Sequence, residues 1–298
     1  MNKPNNWILG RGCLLMTTLI WGTSFVVLKD ALDTLPVLLI LAVRFSGAAV
    51  LLALVGRRQL RALDRQGLIG GLVMGVMLYL AYVLQTEGLA YTEPGTNAFL
   101  STAYCVLVPF FSWALMHRRP DRWNVAAAVL CAAGMALICL KDNLTIGLGE
   151  GLSAASGVFF ALHILVTDRT VRGRSALALT VVQFSVCAVL GWVCVLCTGA
   201  MPQPGTVPAD AWARVAYLSV ACTAATYLLQ LTGQKHTPPG AAAVLLTLEA
   251  VFGTAFSIAI YGERPSLRMC VGFVLIFVSV LVSETKLRFL RPVPQKVK

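Results

Sequence analysis

QTEGLAYTEPGTNAFLST (residues 85–102) returns further along the chain, altered but in register, as QLTGQKHTPPGAAAVLLT (residues 230–247). A shift of 145 residues superimposes the two without a gap: Tyr82, Gln85, Gly88, Thr92, Pro94 and Gly95 fall on Tyr227, Gln230, Gly233, Thr237, Pro239 and Gly240. Downstream, Phe111, Ser112, Arg119 and Pro120 fall on Phe256, Ser257, Arg264 and Pro265, and upstream a shift of 139 lays VRFSGAAVL (43–51) on VQFSVCAVL (182–190). The six extra residues lie in MPQPGTVPADAWAR (201–214), a Pro- and Gly-rich connection where insertion costs little. The chain is a duplication of one unit. Within each copy, Thr92 and Thr237 are placed to cap a helix, with Pro94 and Pro239 in its first turn, where a missing N–H costs nothing.

The duplicated unit is a membrane unit. Of 298 residues, 58% are hydrophobic and only 12% charged, and the mean hydropathy is +0.78. Whole segments of about 20 residues lack charges, which lipid tolerates and a water-exposed surface does not. Apolar runs predict ten spans, at roughly 13–29, 35–55, 67–88, 94–116, 124–140, 148–167, 176–198, 214–233, 239–261 and 269–284. The N-terminal run CLLMTTLIWGTSFVVL follows Lys3 and Arg11 but has no small-residue cleavage site after it, so it reads as an uncleaved first span.

The net charge of +11 comes in short basic clusters between apolar runs, the pattern of membrane loops and not of a nucleic-acid face with interleaved aromatics. Eighteen of the 24 Lys and Arg fall on one side, among them Arg57, Arg58, Arg61, Arg65, Arg172 and Arg174, against five on the other, with Arg44 inside a span. That side is predicted to be cytoplasmic and to hold both termini. The nine cysteines lie in apolar runs, and the lone C-x-x-C at Cys194 and Cys197 lacks the second pair a metal site needs. They read as reduced packing residues.

Five spans per unit is odd, so the second unit enters the membrane from the opposite side. RRQLRALDR (57–65) is rich in arginine, whereas its counterpart around PADAWAR (208–214) carries one. The expected architecture is therefore an all-α membrane protein of ten transmembrane helices in two inverted five-helix repeats, with both termini cytoplasmic. Its parts are a cytoplasmic tail (1–12), a first repeat (13–141), a second repeat (142–285) and a basic cytoplasmic tail (286–298). Inverted repeats place a substrate site near the midplane at the repeat interface.

These residues resemble the drug/metabolite transporter superfamily, and specifically its ten-helix EamA-like members. The resemblance is carried by WGTSFV (21–26), VRF (43–45), NAFLSTAYCVLVPFF (97–111) and LEAVFGTAFSIAIYGERP (248–265), in that order and spacing. The chain departs from the family pattern twice: Leu248, Glu249 and Ala250 stand where many members have L-E-P, and His117 and Arg118 where the first repeat often has G-E. The resemblance implies a secondary transporter of small organic solutes, an exporter, with a central cavity framed by the first four helices of each unit.

Two charges fall near the centre of a span, Arg44 and Glu249. A charge at that depth costs several kcal/mol unless it meets a partner or water, so each is a candidate for function. Repeat symmetry aligns Arg44 with Gln183 and Glu249 with Tyr104. Three readings of the pair stand open: a structural salt bridge, the two ends of a zwitterion site, or a proton-coupling carboxylate at Glu249; Arg44 alone also reads as a structural anchor to helix-end carbonyls. Tyr82 with Gln85, and Tyr227 with Gln230, share a helix face at i,i+3 and recur in both repeats, which marks them as cavity residues. Asn97, Tyr104, Gln183, Trp21 and Ser24 complete the expected substrate-binding set. His163, inside a span and aligned to Ser24, is a second proton-coupling candidate.

The expected function is secondary export of a small polar metabolite such as an amino acid, from a multi-pass protein of the plasma membrane (bacterial inner membrane), with protons as the candidate coupling ion. A multidrug or organic-cation exporter is the alternative. Small cation exporters of this superfamily use a first-helix carboxylate, and here none precedes Asp30, so Glu249 would replace it. A membrane-embedded enzyme stands further off. The chain has no H-E-x-x-H, G-x-S-x-G or paired-aspartate motif and no phosphate-binding loop, and no cofactor, metal or nucleic acid is expected.

Overall fold

The computed structural model describes residues 6–117, 119–139, 146–203, 205–237 and 239–286, and within these the side chains of all but residues 6–7, 116, 235, 239–244 and 284. Lys3, Arg118, Lys141, the Lys235 side chain and the basic residues after 286 lie outside the described residues.

The described chain is helical nearly throughout. In order it forms α1 (Asn6–Leu32), α2 (Val37–Arg61), α3 (Arg65–Ala90), α4 (Pro94–Thr102), α5 (Tyr104–Met116), α6 (Arg122–Cys139), α7 (Leu148–Thr170), α8 (Ala176–Thr198), α9 (Ala209–Ser219), α10 (Thr226–His236), α11 (Pro239–Phe256) and α12 (Leu267–Thr285). A π-helical stretch, Val220–Ala225, joins α9 to α10, and a second, Ser257–Tyr261, extends α11. Among the described residues eight helical segments are long and apolar enough to cross a membrane, and Leu245–Tyr261 and Leu267–Ser283 are shorter apolar helices. Leu54, Val129 and Leu196 leave well over half their surface uncovered, as lipid-facing side chains do.

The expected span 94–116 is interrupted. Around Ala103 the helix tightens to i−3 bonding, with the Ala103 and Val106 amides donating to Leu100 and Ala103 carbonyls, and Pro109 removes a further donor within α5. The expected threonine caps are also corrected. Glu93, in extended conformation, occupies the N-cap of α4, with Pro94 in the first turn, so Thr92 lies one residue too early and instead offers its carbonyl to Lys29 Nζ. Thr237 terminates α10, and its Oγ1 is buried with no hydrogen-bond partner among the described residues.

Successive segments run in alternate directions, giving the bundle two faces. The near face, where α1 begins, carries the α2–α3, α5–α6, α7–α8 and α10–α11 connections. There Arg174 Nε and Nη2 hold both oxygens of Asp64 at 2.6 and 2.8 Å, and Lys286 pairs with Asp121. The Arg174 guanidinium keeps the exposed Asp64 carboxyl down to about 2 while that carboxylate caps α3 through the Gly67 amide. The far face, where α1 ends, carries the α1–α2, α3–α4 and α8–α9 connections and the segment after α11.

Helix packing obeys the duplication. α2 packs on α8 and α6 on α12, while α3 against α7 is matched by α1 against α10, and α5 against α7 by α11 against α1. The close crossings repeat residue for residue. A Cβ on Gly88 would lie 2.8 Å from Ser153 N and 2.9 Å from Gly149 O in α7; a Cβ on its counterpart Gly233 would lie 2.9 Å from Gly10 O in α1. Gly10 is itself the repeat partner of Gly149. Lipid offers no hydrophobic drive between helices, so backbones brought together by small residues carry the packing. Gly88→Val is therefore expected to destabilise the protein by about 2 kcal/mol or more through overpacking, read as a lowered melting temperature. An exposed change such as Val129→Ala should leave it unmoved.

Candidate functional site

One cavity of about 830 Å³ lies between the repeats. Its floor is Leu28, Gln85 and Ala98 towards the far face, and it reaches the helix ends Val171, Ala176, Gln234 and Thr237 on the near face. Trp21, Ser24, Arg44, Tyr82, Gln85, Tyr104, His163, Gln183, Tyr227, Gln230 and Glu249 all line it. Asn97 does not. Fully buried, it donates from Nδ2 to the Gln85 carbonyl at 2.9 Å and to Ser153 Oγ at 2.7 Å, so it binds α4 to α3 and α7 and is a helix-to-helix tie.

The aromatic wall is the most symmetric part of the site. Tyr82 packs edge-on against Phe45 at 5.1 Å and Phe160 at 5.6 Å, and Tyr227 edge-on against Phe184 at 4.8 Å and Trp21 at 5.9 Å. The repeat shift carries Tyr82 to Tyr227, Phe45 to Phe184 and Trp21 to Phe160, so one triad is the image of the other. Phe45 and Phe184 meet at 5.4 Å where the two join. Trp21 is fixed by its indole N–H, which donates to the Cys222 carbonyl and to Thr226 Oγ1.

Polar asymmetry is laid over this frame. Arg44, only 2% exposed, donates from Nε to Thr223 Oγ1 at 2.7 Å, and its guanidinium carbon sits 5.0 Å from the Tyr82 ring centre. Its repeat partner Gln183 instead pairs with His163 Nε2 at 2.7 Å through Oε1. Among the described residues no carboxylate lies within ion-pair distance of Arg44, and Glu249 makes no hydrogen bond, yet both line the same cavity. Arg44 and Glu249 are not joined as a salt bridge. Ser24 is turned back to its own helix, donating to the Trp21 carbonyl at 2.6 Å.

Beyond the far end of the cavity a set of ties joins the helix ends. Glu263, buried, accepts from the Gly95 amide and from Thr96 Oγ1, both at 3.2 Å, at the N-terminus of α4, where helix dipole and free amides favour a carboxylate. Lys29 Nζ donates to the Leu89 and Thr92 carbonyls at 2.7 and 2.8 Å, at the C-terminal end of α3. Tyr261 donates to Asp30, which also faces Arg214 at 3.9 Å. The repeat-related turn keeps its left-handed residue, His117 at φ 56° against Gly262 at φ 65°. The position after it is Arg118 in place of a glutamate.

Sequence reasoning passed over Thr223, Glu263 and the phenylalanines of the wall. The recurrence of Phe45 and Phe184 in VRF and VQF was a usable signal. Thr223 left none, since its importance comes from a π-turn in α9–α10 that its counterpart region of α3 lacks.

The model of the EamA-like transporter family matches residues 8–140 and 147–285. Two proteins of Archaeoglobus fulgidus, each called an uncharacterized transporter, are similar over most of their length. One is 28% identical across 90% of this chain and 83% of its own, the other 24% identical across 92% and 96%. A solved crystal structure with 18% identity superposes with a TM-score of 0.63 over 95% of this chain and 98% of that one, a likeness of fold.

Proposed function

We propose, for a chain that belongs to the EamA-like transporter family, that it exports a small zwitterionic metabolite such as an amino acid from the cytoplasm, by alternating access of ten spans in two inverted repeats. One observation carries the reading: Arg44 and Glu249 line one cavity, and no ion pair joins them. An amino acid answers both charges, its carboxylate meeting the guanidinium and its ammonium meeting Glu249, while the Tyr82 and Tyr227 triads hold the side chain. With the basic near face placed in the cytoplasm of a plasma-membrane protein, the cavity is open to the inside and sealed outside, the state in which an exporter loads.

Coupling follows from the same carboxylate. Glu249 is the carboxylate among the described lining residues, and it cannot hold a proton and pair with an ammonium at once. A proton taken from outside therefore displaces the substrate there, and release of that proton inside readies the site again. His163, engaged with Gln183, stands as a second proton-coupling group.

A purified sample melted against amino acids, nucleosides, organic acids and organic cations tests the proposal. A ligand that binds only the folded protein stabilises it by about 2.7 kcal/mol at 100 times its Kd, a shift of a few degrees in melting temperature. An amino acid should give that shift, and Glu249→Gln should abolish it. If organic cations alone stabilise the protein, the cation-exporter reading, which the aromatic wall and Glu249 also support, replaces this one. If nothing in the panel does, both readings fall.

A further inference from the structure

The π-helical turn Val220–Ala225 packs against Arg44 of α2, and its Thr223 is fully buried behind the cavity lining. A π-turn adds a residue to the helix and frees backbone groups that α-helix would pair, and such turns concentrate at functional sites. Here the freed group has a defined use. Thr223 Oγ1 donates to the Leu218 carbonyl, five residues back, at 2.8 Å, so its lone pair is left to accept from Arg44 Nε at 2.7 Å. Ser219 Oγ donates to the Arg44 carbonyl at 2.8 Å, and a Cβ on Gly47, one turn along α2, would collide with Ser219. Backbone and side chain of Arg44 are thus both located by one short stretch of the second repeat. The matching stretch of the first repeat has no such turn: the residue aligned with Thr223 is Leu78, in the regular α-helix α3.

The way Arg44 is held decides what it can recognise. The guanidinium presents five donors in a planar fork, and the two Nη groups match a carboxylate bidentately. With Nε occupied by Thr223 and one face covered by Tyr82, the Nη edge is what remains, and neither Nη has a hydrogen-bond partner among the described residues. Resting on the zwitterion reading above, we infer that Thr223 is a positioning residue that aims the Arg44 fork into the cavity, making a free carboxylate an obligatory part of the substrate. The wall then discriminates an α-amino acid from its own carboxamide.

The test uses L-phenylalanine and L-leucine with their carboxamides, as competitors of counterflow in liposomes and as ligands in melting experiments. The wild type should prefer acid to amide by about 10-fold or more, the size of a hydrogen bond to a charged group. Arg44→Gln should lose the preference, and Thr223→Val should lose most of it by raising KM with little change in kcat. Thr223→Ser, which keeps the hydroxyl, should restore it. Melting without ligand shows whether Thr223→Val remains folded; should it not, Thr223→Ala, which cannot strain the turn, takes its place. If Arg44→Gln abolishes the preference while Thr223→Val and Thr223→Ala leave it intact, the positioning role is overturned and the zwitterion site survives. If wild type binds neither acid nor amide, the proposed function fails and this inference with it.

Discussion

Glu263→Ala should open the far face. The carboxylate holds the α4 N-terminus through Gly95 and Thr96, and hydrogen bonds to a charged group contribute about 1.5–3 kcal/mol. Losing them should shift the gate equilibrium by roughly 10- to 100-fold towards the state open on that side. A single cysteine in place of Leu28, at the cavity floor, reads the change directly. In a cysteine-free background it should react with a membrane-impermeant thiol reagent supplied from the far side at least about 10 times faster in the Glu263→Ala protein. Gly95→Ala should act in the same direction, because its Cβ would stand 2.6 Å from Glu263 Oε2 and 3.0 Å from the Thr254 Cα. Equal labelling rates in all three proteins would show that the Lys29 and Asp30 ties close the face without Glu263.

Arg44→Met is expected to separate stability from transport. A buried guanidinium with no carboxylate in ion-pair contact among the described residues is a charge retained at a cost, and replacing buried ions by apolar groups of similar size is often stabilising by about 1–4 kcal/mol. The unliganded variant should melt higher, by about 2–4 °C per kcal/mol in a chain of this size. Transport of any amino acid should fall by about 100-fold or more, as a charge-assisted bidentate contact is lost. Lower stability together with unimpaired transport would mean that Arg44 is an anchor of α2 to α9 and no part of the site.

Much of this protein could be read from its chain because lipid simplifies the problem. Long uncharged runs have to become helices, and a stretch that returns in register 145 residues on marks the two repeats that the family model also matches. The same scarcity of charge made Arg44 and Glu249 conspicuous, and recurrence in the second copy picked out Tyr82, Gln85, Tyr227 and Gln230. Where the reading faltered, the missing information was tertiary. Asn97 looks like Gln85 in the sequence, each an amide within an apolar run, and only packing shows that one ties helices together while the other faces the cavity. Thr92 was displaced from its capping role because Glu93 takes the extended conformation required of the N-cap. Glu263 gave no local signal, since its partner lies 168 positions away.

The Phe45–Phe184 contact has a different kind of consequence. Under the proposed alternating access, in which the halves exchange conformations, a residue near the symmetry axis would find the same neighbours before and after, whereas Arg44, Glu249, Thr223 and Glu263 would not. Changes at the phenylalanine pair therefore raise or lower both end states together and alter how fast the protein turns over. Changes at the four unmatched residues tilt one state against the other and alter which way it rests. On that proposal rate and bias are written in separate sets of side chains, and the speed of the molecule is tunable without reversing its preference.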